Sequence, residues 1–264
     1  MDLKLGGKTA LVTGSTAGIG YAIAEALAKE GAKVIINGRG AMRVKEAAEK
    51  LAAVATNGAV IGVSADLGTA EGAEQLIRKA GDVDILINNV GIYEPKNFGE
   101  ISDEDWLRIW QINFMSGVRL SRAFLPGMKQ RNWGRIIFIS SESGVNIPPE
   151  MIHYGVTKSA QIALARGLAE STAGSNVTVN SILAGPTASE GVAQFVDDLA
   201  RSRKKDKSEI EKEFFENVRP SSLLKRFATP EEVAHMVAYV ASPLASATNG
   251  AALRAEGGVV RSML

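Results

Sequence analysis

The sequence contains no cysteine and only two histidines, His153 and His235. Disulfides and cysteine-ligated metals are thereby excluded, and two imidazoles are a poor basis for a histidine-built metal centre. No metal is expected. Long hydrophobic runs are missing too. Nothing approaches the roughly 18 apolar residues of a membrane-spanning helix, and glycine breaks the opening MDLKLGGKTALVTG too early for a secretion signal. A soluble, cytoplasmic protein is the expectation. Neither sign of charge dominates: 30 basic residues stand against 29 acidic ones, for a net charge of +1. No global field draws such a chain to nucleic acid or to an anionic bilayer, so neither is expected as a partner. Internal repeats, low-complexity tracts and interdomain linkers are also lacking. With 264 residues, 45% of them hydrophobic, the chain can bury one large core, and a single domain over 1–264 is expected.

What is present is an alternation. KTALVTG, AKVIING, AVIGVSAD, DILINN, GRIIFISS, NVTVNSI and GAALRAEGG are short apolar runs bounded by glycine or polar residues. Such runs read as strands buried on both faces. Between them, residues 19–29, 44–54, 73–80, 106–129, 152–171 and 230–241 carry helical apolar spacing. Strand and helix in alternation predict an α/β fold, a doubly wound parallel sheet with helices on both faces. TPEEV writes one helix start explicitly, with Thr229 as N-cap, Pro230 in the first helical position and Glu232 placed for a capping box. Residues from about 187 to 228 break the pattern. They hold no evident strand but two amphipathic stretches, Val192, Phe195, Val196, Leu199 and then Ile210, Phe214, Val218, joined by the charged RSRKKDKS, read as a solvated loop. Two short helices there would form a lid over the sheet edge.

Two local patterns carry chemistry. TGSTAGIG directly follows the first strand and places Gly14, Gly18 and Gly20 before a helix. Glycine lets the backbone turn sharply and approach a phosphate, while the free N–H groups at the helix start stabilise the anion. The spacing G-x-x-x-G-x-G differs from the general dinucleotide fingerprint and matches it in mechanism. HYGVTKSAQ puts Tyr154 and Lys158 four residues apart, on one face of a helix and within mutual reach.

TGSTAGIG after the first strand, NNVG at 88–91 after the fourth, Asn113 in the long helix, Ser141 after the fifth strand and YGVTK thirteen residues on together resemble the short-chain dehydrogenase/reductase family. The resemblance runs from Lys8 to about Gly258. It implies a Rossmann-like fold, a carbonyl or alcohol as small-molecule substrate, and catalysis by Asn113, Ser141, Tyr154 and Lys158. Tyr154 would be the general acid/base and Ser141 would hold the substrate oxygen. Lys158 would hold the nicotinamide ribose, and Asn113 would position a water. Ser140 and Ser143 compete for the serine role, but only Ser141 has the family's offset from Tyr154. An ammonium about 4 Å from a phenol, at an effective dielectric near 20, is worth roughly 4 kcal/mol, about three pKa units, which would bring Tyr154 toward neutrality.

The resemblance also implies cofactor contacts at Gly14, Ser15, Thr16, Gly18, Ile19 and Gly20 and at Asp66 and Leu67 for the adenine. Asn88, Val90 and Gly91 would lie beside the ribose, with Tyr154 and Lys158. Gly185, Thr187 and Ser189 would sit near the carboxamide; Ser189 is the favoured hydroxyl there and Thr187 its rival. At the end of the second strand, Gly38 stands where NAD-preferring relatives tend to carry aspartate, and Arg39 and Arg43 follow. Guanidinium suits a phosphate, so NADP is expected, with NAD possible. Ala17 stands where many NADP-using relatives place a second basic residue. Pocket-lining candidates are Tyr93, Ser143, Val145, Ile147, Met151, Phe195 and Phe214. A reductase of 3-oxoacyl thioesters is the nearest specific variant, and a cofactor-sensing regulator without catalysis is the alternative from another class. The long helices bearing Asn113 and Tyr154 would pair across a two-fold axis, giving a homodimer or homotetramer.

Overall fold

The computed structural model describes residues 2–56, 59–203 and 205–263, apart from the side chains of 194, 195, 198 and 199. Seven parallel strands form one sheet in the order β3-β2-β1-β4-β5-β6-β7. They are β1 (Thr9–Val12), β2 (Lys33–Gly38), β3 (Val60–Ser64), β4 (Ile85–Asn88), β5 (Gly134–Ser141), β6 (Val177–Ala184) and β7 (Ala252–Ala255). Every residue of β4, β5 and β6 is buried, so these strands show no alternation of apolar and solvent-facing positions, and their polar members, such as Arg135 and Asn180, are buried with the rest. Helices α1 (Gly18–Lys29), α2 (Ala41–Ala52) and α9 (Pro230–Ala241) cover one face, where Ile23, Leu27, Val233 and Val237 share a core with β1 and β2. Helices α3 (Ala70–Ala80), α5 (Ser116–Gln130) and α6 (Ile152–Glu170) cover the other, around Leu76, Leu120, Phe124 and Phe138. Strand order reverses between β1 and β4, so the carboxyl ends of β1, β4 and β5 flank the crevice where ligands bind in open α/β sheets. Among the described residues no helix is long and apolar enough to cross a membrane.

Helix starts differ from the apolar periodicity in an instructive way. α2 and α3 begin three residues before their first expected positions, because a polar first turn belongs to the helix without belonging to its buried stripe. Thr69 caps α3 by accepting from the Gly72 N–H at 3.0 Å. The expected single helix over 106–129 is two. α4 (Asp103–Trp110) starts on a Ser102/Asp105 capping box, and a π-helical turn, Gln111–Met115, separates it from α5. Asn113 sits in that turn. A π turn inserts one extra residue per turn and re-aims the side chains around it, a feature concentrated at functional sites.

Residues 187–228 are largely helical, as α7 (Glu190–Arg203), α8 (Lys207–Glu213) and a second π-helical turn, Phe214–Val218. The RSRKKDKS segment is mostly the ends of these two helices rather than a loop. Its charges are matched locally: Arg203 and Lys205 meet Glu213, and Lys207 meets Asp197. Phe214 packs with Phe215 and Phe227 at centroid separations of 5.1 to 5.2 Å, forming the segment's own small core. The side chains of Phe195 and Leu199 lie outside the described residues.

Thr229 and Glu232 satisfy each other's backbone N–H groups at the start of α9, with the Thr229 side chain accepting at 3.3 Å and Glu232 at 2.8 Å. Replacing Thr229 with alanine is expected to cost about 1 kcal/mol, or a melting temperature lower by roughly 2–4 °C. Thermal unfolding followed by circular dichroism measures it.

Candidate active site

The loop after β1 is locked to the turn after β4 by side chains. The Thr13 hydroxyl accepts from the N–H groups of Asn89 and Val90 at 2.9 and 3.1 Å, and Asn89 Nδ2 donates to the carbonyls of Thr13 and Gly14 at 2.9 and 3.0 Å. Gly14 and Gly18 take φ of 60° and 56°, in the left-handed region where a Cβ is strained, and a Cβ on Gly20 would lie 2.4 Å from the Gly14 carbonyl oxygen. α1 then opens with no side-chain cap and no acidic residue in its first turn. Unclaimed N–H groups and an unopposed dipole at the end of a glycine cradle fit a pyrophosphate. Gly38 faces Thr16 so closely that an added Cβ would lie 2.6 Å from its methyl. A larger residue at 38 would require the Thr16 side chain to shift. Arg39 is exposed, and among the described residues its guanidinium has no ion-pair partner, whereas Arg43 pairs with Glu190 of α7 at 3.1 Å.

The four expected catalytic residues converge where β4, β5, α6 and the first π-helical turn meet. A Cβ on Gly91 would lie 3.5 Å from Lys158 Nζ and 3.6 Å from Asn113 Oδ1. Lys158 is buried, and its ammonium donates to the Ile139 carbonyl at 2.8 Å and to Gln161 Oε1 at 3.2 Å, 5.6 Å from the Tyr154 ring centroid. Asn113 accepts from the Ile92 N–H at 2.8 Å and donates to the Ile92 carbonyl at 2.9 Å and to Thr157 Oγ1 at 3.1 Å. Its own carbonyl accepts from Gln161 Nε2 at 2.6 Å. The serines separate cleanly. Ser140 donates to the Lys158 carbonyl at 2.9 Å and Ser143 to Glu142 at 3.1 Å, while Ser141 Oγ accepts from the Ser143 N–H at 3.1 Å and meets the Tyr154 phenol.

Electrostatics in this pocket differ from the expectation that lysine draws the phenol toward neutrality. Burial pushes the Tyr154 phenol up to about 12, with the Ser141 hydroxyl opposing, and burial pulls the Lys158 ammonium down to about 8. Among the protein's own groups the amine is spent on the Ile139 carbonyl and Gln161, so desolvation outweighs its pull on the phenol.

Other expected residues are placed less directly. The Ser15 hydroxyl donates to Val12 and accepts from Asn37, and its N–H donates to Asn37, so both groups serve the sheet. Asn88 turns its amide to Ser121 of α5 at 3.4 Å. Thr187 is buried and donates to the Gly185 carbonyl at 2.9 Å, while the Cβ of Ser189 lies 3.3 Å from where Gly18 would carry one. Val90 packs against Gly14, and Ile19 is half-buried in the first turn of α1. Asp66 is exposed and accepts from the Gly68 N–H at 3.0 Å, beside buried Leu67. Sequence reasoning missed Thr13, Asn89, Thr157 and Gln161. Gln161 alone had a signal, since it lies seven residues beyond Tyr154 and three beyond Lys158 on the same helical face.

Three comparisons bear on this arrangement. A family model described as short chain dehydrogenase matches residues 8–200. The chain is 47% identical to the uncharacterized oxidoreductase YvaG of Bacillus subtilis, with both chains fully covered. It is 34% identical to the 3-oxoacyl-[acyl-carrier-protein] reductase FabG of Aquifex aeolicus, over 98% of this chain and 100% of that protein. Its structure superposes on L-sorbose reductase from Gluconobacter frateurii, solved with NADPH and L-sorbose, with a TM-score of 0.94 and 32% identity over all of both chains.

The buried lysine gives a pH prediction. With a folded value near 8 against an ordinary 10.5, Lys158 is neutral in the folded protein while the unfolded chain still binds the proton, so stability rises with pH from about 8 to about 10. Below that window the folded state carries the full cost of the buried cation. The melting temperature of the wild type relative to Lys158→Met is therefore expected to be higher at pH 9.5 than at pH 7.0. A difference that stays flat across this range would refute the burial cost.

Proposed function

The chain belongs to the short-chain dehydrogenase/reductase family and is an oxidoreductase of carbonyl and alcohol groups using NAD(P)(H), and we propose that Tyr154, Ser141, Lys158 and Asn113 carry its chemistry with NADPH as the preferred cofactor. The observation that supports this most is the placement of Ser141 beside the Tyr154 phenol and of the buried Lys158 ammonium 5.6 Å from the centroid of its ring, at the carboxyl ends of the central strands. The glycine cradle from Gly14 to Gly20 would hold the pyrophosphate, and Lys158, Asn88 to Gly91 and Ser189 would flank the nicotinamide half. When bound, the nicotinamide supplies or accepts the hydride.

Each side chain has a definable task. A carbonyl being reduced gains negative charge on oxygen and needs a proton donor beside it. With its pKa pushed up to about 12, the Tyr154 phenol is protonated at neutral pH, yet it is a stronger acid than the product alcohol, so a developing alkoxide takes its proton readily. Ser141 Oγ already accepts from the Ser143 N–H, which leaves its own proton to point at the substrate oxygen. Of the three Lys158 N–H donors, Ile139 and Gln161 take two, and the third would reach a ribose hydroxyl. Asn113, pinned through both amide atoms to Ile92, keeps the π turn in place and with it Gln161.

The NADPH preference rests on exposed Arg39 and on the glycine, rather than an acidic residue, at position 38. The relative of known structure solved with NADPH supports it. Relatives' names point to substrates as different as a sugar and an acyl carrier thioester, so they leave the substrate open. We further propose a homodimer or homotetramer with the α4–α6 side at an interface, supported by Leu107 of α4, 63% exposed beside half-buried Trp110 and Phe114. Light scattering reports the mass directly.

Tyr154→Phe is expected to lower turnover about 100- to 10,000-fold with any accepted carbonyl, while NADPH fluorescence titration still reports binding. Ordinary turnover in that variant would sink the assignment, and binding without turnover by the wild type across a broad panel would favour the sensor reading. Arg39→Ala should raise the Michaelis constant for NADPH roughly tenfold or more and leave that for NADH little changed. Equal effects on both would remove the NADP preference.

A further inference from the structure

One cluster beside the reacting hydroxyls has no part in the proton and hydride chemistry. Glu142 follows Ser141 in the 3-10 turn Glu142–Gly144 and is only 3% exposed. Its Oε1 accepts from the Ser143 hydroxyl at 3.1 Å and from Arg219 Nε at 2.9 Å. Its Oε2 is enclosed and meets no donor, the only carboxylate oxygen so placed among the described residues. Arg219 follows the second π-helical turn at the end of the lid helices and is 8% exposed. Its other contacts go to the Val218 carbonyl at 2.9 Å and to Glu150 Oε1 at 3.4 Å, ahead of α6. The Glu142 and Arg219 charges both reach the Tyr154 phenol, the first raising and the second lowering its pKa, so the cluster adjoins the reacting group. On another side of Tyr154 stands Tyr93, 53% exposed and edge-on at a centroid distance of 6.3 Å, its hydroxyl 3.4 Å from where Gly191 of α7 would carry a Cβ.

A buried carboxylate oxygen without a donor is costly, and proteins that keep one have a use for it. Arg219 gives Nε to Glu142 Oε1 and Nη1 to Val218 and Glu150 and donates nothing to Oε2, so a donor from outside the chain would fill that place. The group that a carbonyl or alcohol substrate can offer is a hydroxyl. Glu142 and Glu150 pair with the single cation Arg219, and Glu256 lies close enough to act on Glu142, so the cluster holds more negative than positive groups and would repel carboxylate or phosphate substrates. Tyr93 offers an apolar ring face with a polar tip, suited to a chain bearing both C–H and O–H groups.

Resting on the reductase reading above, we infer that the pocket selects a neutral polyhydroxylated ketone and the corresponding polyol, and that Glu142, held by Arg219, is the specificity-determining residue whose Oε2 accepts a substrate hydroxyl.

The test measures initial rates with NADPH against D-fructose, D-tagatose and dihydroxyacetone, against 2-hexanone and acetone as their hydroxyl-free counterparts, and against acetoacetate as an anionic ketone. The wild type is expected to prefer at least one hydroxylated ketone over its counterpart by about tenfold or more in kcat/KM, with acetoacetate poorest. Glu142→Gln should shrink that preference about 10- to 100-fold, chiefly through KM for the hydroxylated ketone. A wild type that uses 2-hexanone or acetoacetate as well as the hydroxylated ketones overturns the inference while leaving the reductase intact. A Glu142→Gln protein that loses activity equally on both kinds of ketone also overturns it, as a merely structural role would. Should that variant fail to fold, the wild-type preference alone decides. No turnover of any ketone in the panel, or of the matching alcohols with NADP, takes the reductase reading down as well.

Discussion

The structure around the active site is arranged to keep one cation in place out of water. Burying an ammonium is expensive unless its donors are satisfied, and Lys158 meets this cost with the Ile139 carbonyl at the end of β5 and with Gln161 one turn along α6. Each acceptor has to be held in its turn. Ile139 is fixed by the fully buried β5–β6 pairing, and Gln161 by its bond to the Asn113 carbonyl. Asn113 can offer that carbonyl because the helix widens into a π turn, and both atoms of its side-chain amide grip Ile92 in the chain leaving β4. The lysine thus links two strands, two helices and a loop that come from distant parts of the sequence.

Seen from this constraint, the chemistry of the phenol follows from geometry rather than from a direct attraction between the pair. Spacing along α6 places Tyr154 and Lys158 on one face, yet the ammonium is directed to backbone and amide oxygens, and the phenol is left to Ser141. A phenol whose pKa burial has raised remains a donor across the physiological range. Its readiness to transfer then depends on the oxygen in front of it gaining charge, which is the condition under which a proton is needed.

The sheet and its order of elements were legible from the sequence because they rest on local rules, buried runs bounded by turns and glycine before a helix; i to i+4 spacing singled out Tyr154 and Lys158, whereas Asn113 and Ser141 came only with the family resemblance. What could not be read depends on partners brought together by the fold. Asn88 and Asn89 are identical in type and adjacent, yet successive side chains of extended chain point to opposite sides, so the first meets Ser121 and the second the carbonyls of Thr13 and Gly14. Ser15 looked like a loop hydroxyl and is absorbed by β2. The π turn was invisible because its apolar spacing continues that of the flanking helices. The RSRKKDKS charges suggested solvent, but charged residues also finish helices, and Arg203 and Lys205 lie against Glu213.

Glu142 illustrates a further limit. On the sequence it is one polar residue in SSESG, and its burial depends on Arg219, 77 positions later, which closes over it from the end of the lid helices. A charge pair formed across such a distance exists only when the lid segment is seated, so Ser141 and the lid are mechanically joined through the residue between Ser141 and Ser143. On the reading proposed above, selection and proton transfer would use adjacent backbone positions while drawing on different partners. The Ser141 hydroxyl works with the rigid β5–α6 core, and the Glu142 carboxylate works with a segment built around its own aromatic cluster of Phe214, Phe215 and Phe227. Because that cluster is separate from the two cores flanking the sheet, the lid can change its packing or its side chains without disturbing the atoms that hold Lys158.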